Sequence, residues 1–242
     1  MTTINREHPD AGFGWIGVIM IVLILVVAIG AYFVTSSNTS FSRIHEYLSR
    51  LNGNSVYSTA GSINQAISFA NAQGFGIENI DFIDTTPSDS ARVGLFDPVN
   101  GATAEPTMSN GLLINRPTSI DDDDWGRWAL VGNSSTGAGT FTVPSIATSA
   151  PEWAIILPGI KDQYCNSINA DLWGVSESDD IPVASSVSST TVYGPMQQST
   201  RVQAVTIDLT SASPSSSFDG RSKGCFATSD GINVFYLVVS SR

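Results

Sequence analysis

Side chains that could perform acid–base or nucleophilic catalysis are scarce in this sequence. Its two histidines, His8 and His45, stand on either side of a long apolar stretch, so a Ser-His-Asp triad would have to use a histidine beside a bilayer. The pattern H-E-x-x-H and the phosphate-binding loop G-x-x-x-x-G-K-[ST] do not occur in it. We therefore expect a protein that is not an enzyme and that uses no cofactor.

The densest group of charges is a run of four carboxylates, Asp121, Asp122, Asp123 and Asp124. Carboxylate oxygens are ligands that Ca²⁺ prefers, and a calcium site needs about six to eight oxygens. Consecutive side chains point in different directions, however, and most runs of like charge lie in solvated loops. The sequence favours a solvated loop without a metal, and these four aspartates are the candidate ligands if one binds.

The chain has two cysteines, Cys165 and Cys225, which are 60 positions apart. This spacing excludes a C-x-x-C redox motif, and two sulfurs without a nearby histidine make a poor zinc site. A disulfide that closed this loop would stabilise the fold by about 4 kcal/mol in an oxidising compartment. A disulfide and two free, buried thiols cannot be distinguished from the sequence, so both alternatives stay open at this point.

Charge excludes nucleic acid as a partner. The formal net charge is -11, and Arg6, Glu7 and Asp10 are the only charged residues before Thr35, which leaves 10 basic and 20 acidic residues for the rest of the chain. Phosphate binding requires clustered Lys and Arg, and the basic residues here are scattered.

Residues 13–34 contain no charge and predict a membrane-spanning helix. At about 1.5 Å per residue such a helix would be roughly 33 Å long, against about 30 Å of bilayer hydrocarbon. A cleaved secretory signal would have a shorter apolar region after a basic start, and a core helix would be polar on one face. We expect one membrane span, and a cysteine pair in an oxidising compartment favours a C-terminal domain outside the cytoplasm.

Helical periodicity continues after the apolar stretch. Ser40–Leu51 carries one apolar stripe, Asn52-Gly53-Asn54 interrupts it, and Ser62–Ala72 repeats the helical pattern before Gly74. These patterns predict a helical stalk and a short second helix within residues 35–78.

Residues 79–242 predict a β-rich domain. Their short apolar runs are separated by Gly, Pro, Asn, Asp and Ser, which favours an antiparallel sheet. The runs are Trp128–Val131, Thr140–Val143, Trp153–Leu157, Val202–Leu209 and Val234–Val239. One helix that contains Cys165 is predicted among them, since apolar residues recur every four positions from Ile160 to Leu172.

These parts together resemble type IV pilins and pseudopilins. The resemblance consists of a polar leader ending at Gly12, Phe13 at the start of the apolar stretch, an amphipathic helix, a β-rich domain and a late cysteine pair. The segment Asp162–Asn169 (DQYCNSIN) is similar to the Cys-x-x-Ile-Asn stretch of some minor pilin-like proteins. The family usually has a glutamate five residues into the mature chain, where this sequence has Gly17. In lacking that glutamate, the chain resembles a tip or minor subunit.

The resemblance implies an α+β, pilin-like fold, in which a long N-terminal helix packs on an antiparallel sheet that a Cys165–Cys225 disulfide staples. Residues 13–34, the first half of that helix, would span the membrane and later form the filament core. A prepilin peptidase would remove the leader, residues 1–12, between Gly12 and Phe13.

The implied function is that of a structural subunit of a type IV pilus or a type II secretion-like pseudopilus. Its partners would be like or related pilin subunits and the lipid of the inner membrane, with the C-terminal domain periplasmic or extracellular. The alternative is a single-pass, membrane-anchored protein for adhesion or ligand binding.

Overall fold

The computed structural model describes residues 51–82, 92–96, 105–132, 139–146, 153–177, 179–197, 202–213 and 215–239. The predicted leader, the predicted membrane span and the stalk up to residue 50 lie outside these ranges. Within them, no helix is both long and apolar enough to cross a bilayer.

The chain is helical over residues 51–72, the first described segment, here called α1. Its buried residues recur at helical spacing, with Val56, Ala60, Ile63 and Ile67 at most 1% exposed. The helix ends before Gly74, as predicted, but the predicted interruption at Asn52-Gly53-Asn54 is wrong. Gly53 faces the core, where a Cβ atom would lie 3.2 Å from Cγ1 of Ile168, so this glycine serves close packing rather than a turn.

Ten strands follow in the described part of the chain. They are β1 (Ile80–Asp81), β2 (Val93–Gly94), β3 (Ala129–Gly132), β4 (Phe141–Thr142), β5 (Trp153–Pro158), β6 (Val183–Ala184), β7 (Val202–Ala204), β8 (Ile207–Asp208), β9 (Lys223–Thr228) and β10 (Asn233–Val239). Six of them form one sheet in the order β6-β9-β10-β5-β3-β7, while β1 with β2 and β4 with β8 form two small parallel pairs.

The main sheet is mixed, and this overturns the predicted fold class. Its four central strands are antiparallel, but β6 pairs with β9 and β7 pairs with β3 in parallel. An antiparallel sheet is therefore the wrong description, and the long apolar helix of the predicted pilin-like architecture is absent from the described ranges. Apolar runs predict where strands lie, whereas strand direction depends on connections that the runs do not encode.

Both faces of the main sheet are buried, so alternate residues of a strand enter different cores. In β5, Ile155 and Leu157 contact the core that contains the apolar stripe of α1, while Ala154 and Ile156 contact the opposite core. That second core is closed by residues of β4, β8 and the segment 187–196. Burial on both faces explains why the sequence of β5 is continuously apolar rather than alternating.

Two further helices flank the sheet. The helix α2 (Asp162–Trp173) confirms the one predicted from Ile160 to Leu172, and it ends at Gly174 in the left-handed conformation. The helix α3 (Ser189–Tyr193) begins within the Ser/Thr-rich segment 185–191. Its Val192 and Tyr193 side chains are buried, so even this polar segment contributes to the second core.

Candidate functional site

The predicted processing residues Gly12 and Phe13 lie outside the described residues, so the structure does not place the cleavage site. The described part of the chain does place the aspartate run, the two cysteines, an uncharged helix face and two clefts.

The four aspartates form a turn rather than a set of converging ligands. Asp122 pairs with Arg116 at 2.7 Å, and the backbone carbonyl of Asp123 accepts a hydrogen bond from Nε of Arg127 at 3.1 Å. The amide of Asp124 donates to the carbonyl of Asp121 at 3.2 Å. In the described ranges, no three His, Cys, Asp or Glu side chains come together as a metal ion would require.

The structure brings Cys165 of α2 and Cys225 of β9 together in the core, where both side chains are fully buried. Burial, followed by the hydrogen bond and charge of Cys225 and by the charge of Asp162, raises the pKa of the Cys165 thiol well above its ordinary value. The predicted disulfide between these residues stays a prediction.

Asn169 joins the same two elements one helical turn beyond Cys165. Its side-chain Nδ2 donates to the carbonyl of Cys225 at 3.1 Å, and its Oδ1 accepts from the amide of Cys225 at 2.8 Å. The amide side chain thus pairs with β9 as a neighbouring strand would. This contact fixes α2 on the sheet and positions the two thiols.

The solvent-exposed side of α1 is an uncharged face. It comprises Leu51, Ser55, Ser58, Ser62, Gln65 and Phe69, all exposed. Leu51 and Phe69 are 46% and 51% exposed, and because five helical turns separate them they lie on one line, about 27 Å apart. No Asp, Glu, Lys or Arg occurs between Arg50 and Glu78.

A first cleft, here called the Trp173 cleft, has a volume of about 330 Å³ and lies beside the end of α2. Its chemically active walls are Asn166, Trp173, Asp179, Asp180, Ser217 and Arg221. The indole Nε1 of Trp173 donates to the carbonyl of Lys223 at 2.9 Å, and the ring lies so close to Gly224 that a Cβ atom there would be 2.0 Å from it. The sequence therefore places glycine where the tryptophan needs space.

A second cleft of about 460 Å³ lies between α3 and the turn after β9. The carboxylate of Asp230 accepts hydrogen bonds from the amide of Ser189 at 2.8 Å and from Oγ1 of Thr228 at 2.7 Å. Burial acts to raise the pKa of Asp230, but the hydrogen bonds from Ser189 and Thr228 outweigh it and lower that pKa. Burial and the charge of Asp230 raise the pKa of Tyr193 to about 12.

The sequence patterns miss these clefts because each is assembled from distant segments. In the Trp173 cleft, Arg221 lies 41 positions beyond Asp180, and in the second cleft Asp230 lies 41 positions beyond Ser189, with no spacing motif in either case. The signal that the sequence does contain is the absence of charge between Arg50 and Glu78.

Comparison with known proteins adds no assignment: no family model matches the chain, and searches of curated proteins and of solved structures find no significant similarity.

Proposed function

We propose that the chain is a structural subunit of a type IV pilus or a type II secretion-like pseudopilus, assembled through its apolar N-terminal segment. In the sequence, the proposal is supported by Gly12, which ends a polar leader, and by Phe13, which begins an uncharged stretch over residues 13–34. Such a stretch can be solvated by lipid before assembly and by equivalent segments of other subunits afterwards.

The uncharged face of α1 is the observation in the described part of the chain that carries the proposal. A helix face that remains in water usually carries Lys, Arg, Asp and Glu, whereas this face carries Ser and Gln between two exposed apolar side chains. Such a face can be covered by a neighbouring subunit without the burial of a charge, which is expensive when unpaired. Its composition suits a contact between subunits.

The net charge points to the same surface. The 20 acidic and 10 basic residues after Val34 make two copies of the domain repel one another. Repulsion is weakest where a surface carries no charge, so copies meet at the lowest electrostatic cost through the uncharged face. The partners in this proposal are like or related subunits, a prepilin peptidase and the lipid of the inner membrane.

The first experiment is intact-mass and N-terminal analysis of the protein purified from native membranes or from sheared filaments. We expect a chain that begins at Phe13 and carries a methylated amine. A chain that still begins at Met1 would favour a permanent anchor, and a chain cut beyond Val34 would contradict the filament proposal.

The second experiment introduces charge into the uncharged face. We expect Ser58→Glu and Gln65→Glu to abolish filaments in sheared fractions while the membrane level of the protein is unchanged, because assembly would then bury an unpaired carboxylate. Thr107→Glu, which adds the same charge at an exposed residue outside α1, is the matched control and should retain filaments. Filament loss in the control alone, or in no variant, would refute the role of this face.

A single-pass, membrane-anchored binding protein is the second candidate function. The Trp173 cleft favours it, since a filament subunit has no need of a charged cleft of about 330 Å³. The processing experiment separates the two candidates, because a simple anchor requires no cleavage after Gly12.

A further inference from the structure

The guanidinium of Arg221 is held in place but has no anionic partner among the described residues. Its Cζ atom lies 4.3 Å from the ring centroid of Trp173, and the edge-on ring of Phe218, with its centroid 5.7 Å away, supports that indole in turn. Each of the other three described arginines has a carboxylate partner, in the pairs Arg92–Asp81, Arg116–Asp122 and Arg127–Glu105. Stacking leaves the in-plane N–H donors of Arg221 available to a ligand.

Two carboxylates line the same cleft without reaching Arg221. Asp179 accepts a hydrogen bond from the amide of Ser176 at 2.9 Å, and neither Asp179 nor Asp180 forms an ion pair with Arg221. Opposite charges therefore face one space from separate positions. In water each is solvated, and a molecule that spans them would satisfy both.

Uncharged polar groups complete the cleft. Asn166 and Ser217 line it, and within the described part of the chain their side chains have no hydrogen-bond partner. Asn169 also borders the cleft, but its side-chain amide already donates one hydrogen bond to the backbone of Cys225 and accepts one from it. The groups that can contact a ligand are thus one guanidinium, two carboxylates, an amide and a hydroxyl.

We propose that the Trp173 cleft binds a small zwitterion of the α-amino acid class, with its carboxylate on Arg221 and its ammonium group on Asp179 and Asp180. A guanidinium donates two parallel hydrogen bonds to a carboxylate, and the ammonium group donates hydrogen bonds to the aspartate carboxylates. A volume of about 330 Å³ is at the small end of ligand pockets, which suits a molecule of this size. This inference goes beyond the filament proposal and does not depend on it.

Molecules that carry only one of the two charges should bind this cleft more weakly than a zwitterion. A molecule with only a carboxylate would be repelled by Asp179 and Asp180, and one with only an ammonium group would be repelled by Arg221. The expected order of affinity is therefore a zwitterion first, with either singly charged derivative at least about tenfold weaker, which corresponds to about 1.4 kcal/mol.

The test is a titration of the full chain in detergent, labelled with ¹⁵N at the tryptophan indoles. The Nε1–H signal of Trp173, assigned by its loss in Trp173→Phe, reports on the cleft. The probes are L-alanine and L-glutamine, with N-acetyl-L-alanine and L-alaninamide as the singly charged derivatives. We expect saturable shifts with at least one of the two amino acids and about tenfold weaker binding of the derivatives.

Variants separate recognition from folding. Arg221→Gln and Asp180→Asn should each weaken binding of the amino acid about tenfold, while Asp123→Asn, the same charge change at an exposed residue outside the cleft, should leave binding unchanged. Spectra of the unliganded variants show whether the fold is retained. The proposal is overturned if neither amino acid binds at millimolar concentration, if a singly charged derivative binds equally well, or if Asp180→Asn retains full affinity in a folded protein.

Discussion

At the scale of single residues, the hydroxyl of Tyr193 is an exception to the rule that buried polar groups find partners. The side chain is 6% exposed, and its hydroxyl has no hydrogen-bond partner within the described residues. Burial and the nearby charge of Asp230 raise its pKa to about 12, so the folded protein holds this proton more tightly than the unfolded chain, in which the pKa is near 10.

Tyr193 consequently makes stability depend on alkaline pH. A pKa that is higher in the folded state gives stability that is fully present below about pH 10 and is lost as the pH rises towards about 12, because the unfolded phenol ionises first. We expect Tyr193→Phe to remove this loss and, since an unpartnered hydroxyl is deleted, to raise the free energy of unfolding at neutral pH by about 1 kcal/mol. Urea unfolding of both proteins between about pH 8 and pH 12 measures the difference; parallel pH profiles would contradict the assignment.

At the scale of elements, the parts of the fold that could be predicted are those whose sequence pattern matches their burial. The apolar run of β5 and the four-residue spacing in α2 locate both elements, since their burial comes directly from local sequence. The pattern misses strand β9, which carries Cys225, because Lys223 and Gly224 precede its short apolar part. It misses helix α3 because that polar sequence is stabilised by tertiary contacts, including the cap that Asp230 provides to Ser189.

The candidate sites, like the missed strand and helix, could not be predicted from local sequence. The aspartate run is conspicuous in sequence yet forms only a turn, whereas Arg221 and Asp180 are inconspicuous and share a cleft. Sequence separation hides such a site, because side chains converge through the arrangement of the sheet rather than through a motif. Gly53 is a comparable case, in which a helix-breaking residue marks a contact between helices.

The energetic cost of adding a side chain at Gly53 can be measured against a second glycine of the same helix. Gly61 also lies in α1, and a Cβ atom added there would have nothing within 4 Å, so Gly61→Ala should stabilise the protein by about 0.5–1 kcal/mol. Gly53→Ala gains the same helical propensity but must displace Ile168, and we expect it to be less stable than Gly61→Ala by about 1 kcal/mol or more. Chemical denaturation of the two variants measures this difference in stability. Equal stabilities would show that the Ile168 side chain moves aside at no energetic cost.

At the scale of the whole molecule, the order of strands in space differs from their order in the chain. The last described strand, β10, lies between β9 and β5, and β5 ends 75 positions before β10 begins. The edge strands β6 and β7 are only two and three residues long. The sheet is therefore held together at its centre by a pairing of strands that are far apart in the chain.

This arrangement predicts a gradient of hydrogen exchange across the sheet. Amides of β10 and β5 that bond to a neighbouring strand should exchange only through global unfolding, while those of β6 and β7 should exchange through local opening at lower free energy. Native-state hydrogen exchange at low denaturant, read by NMR or by peptide mass, gives the opening free energies of the central and the edge strands. Equal protection at the centre and at the edges would contradict the gradient.

The central position of β10 also sets when the domain can fold during its synthesis. Until residues 233–239 have left the ribosome, β5 and β9 have no strand between them and present open hydrogen-bonding edges. A nascent chain of this kind stays unfolded late in its synthesis, and a chain that stalls before these residues exposes open strand edges to chaperones and proteases. Because β10 lies at the centre of the sheet, the domain becomes stable only after the chain has been synthesised through residue 239.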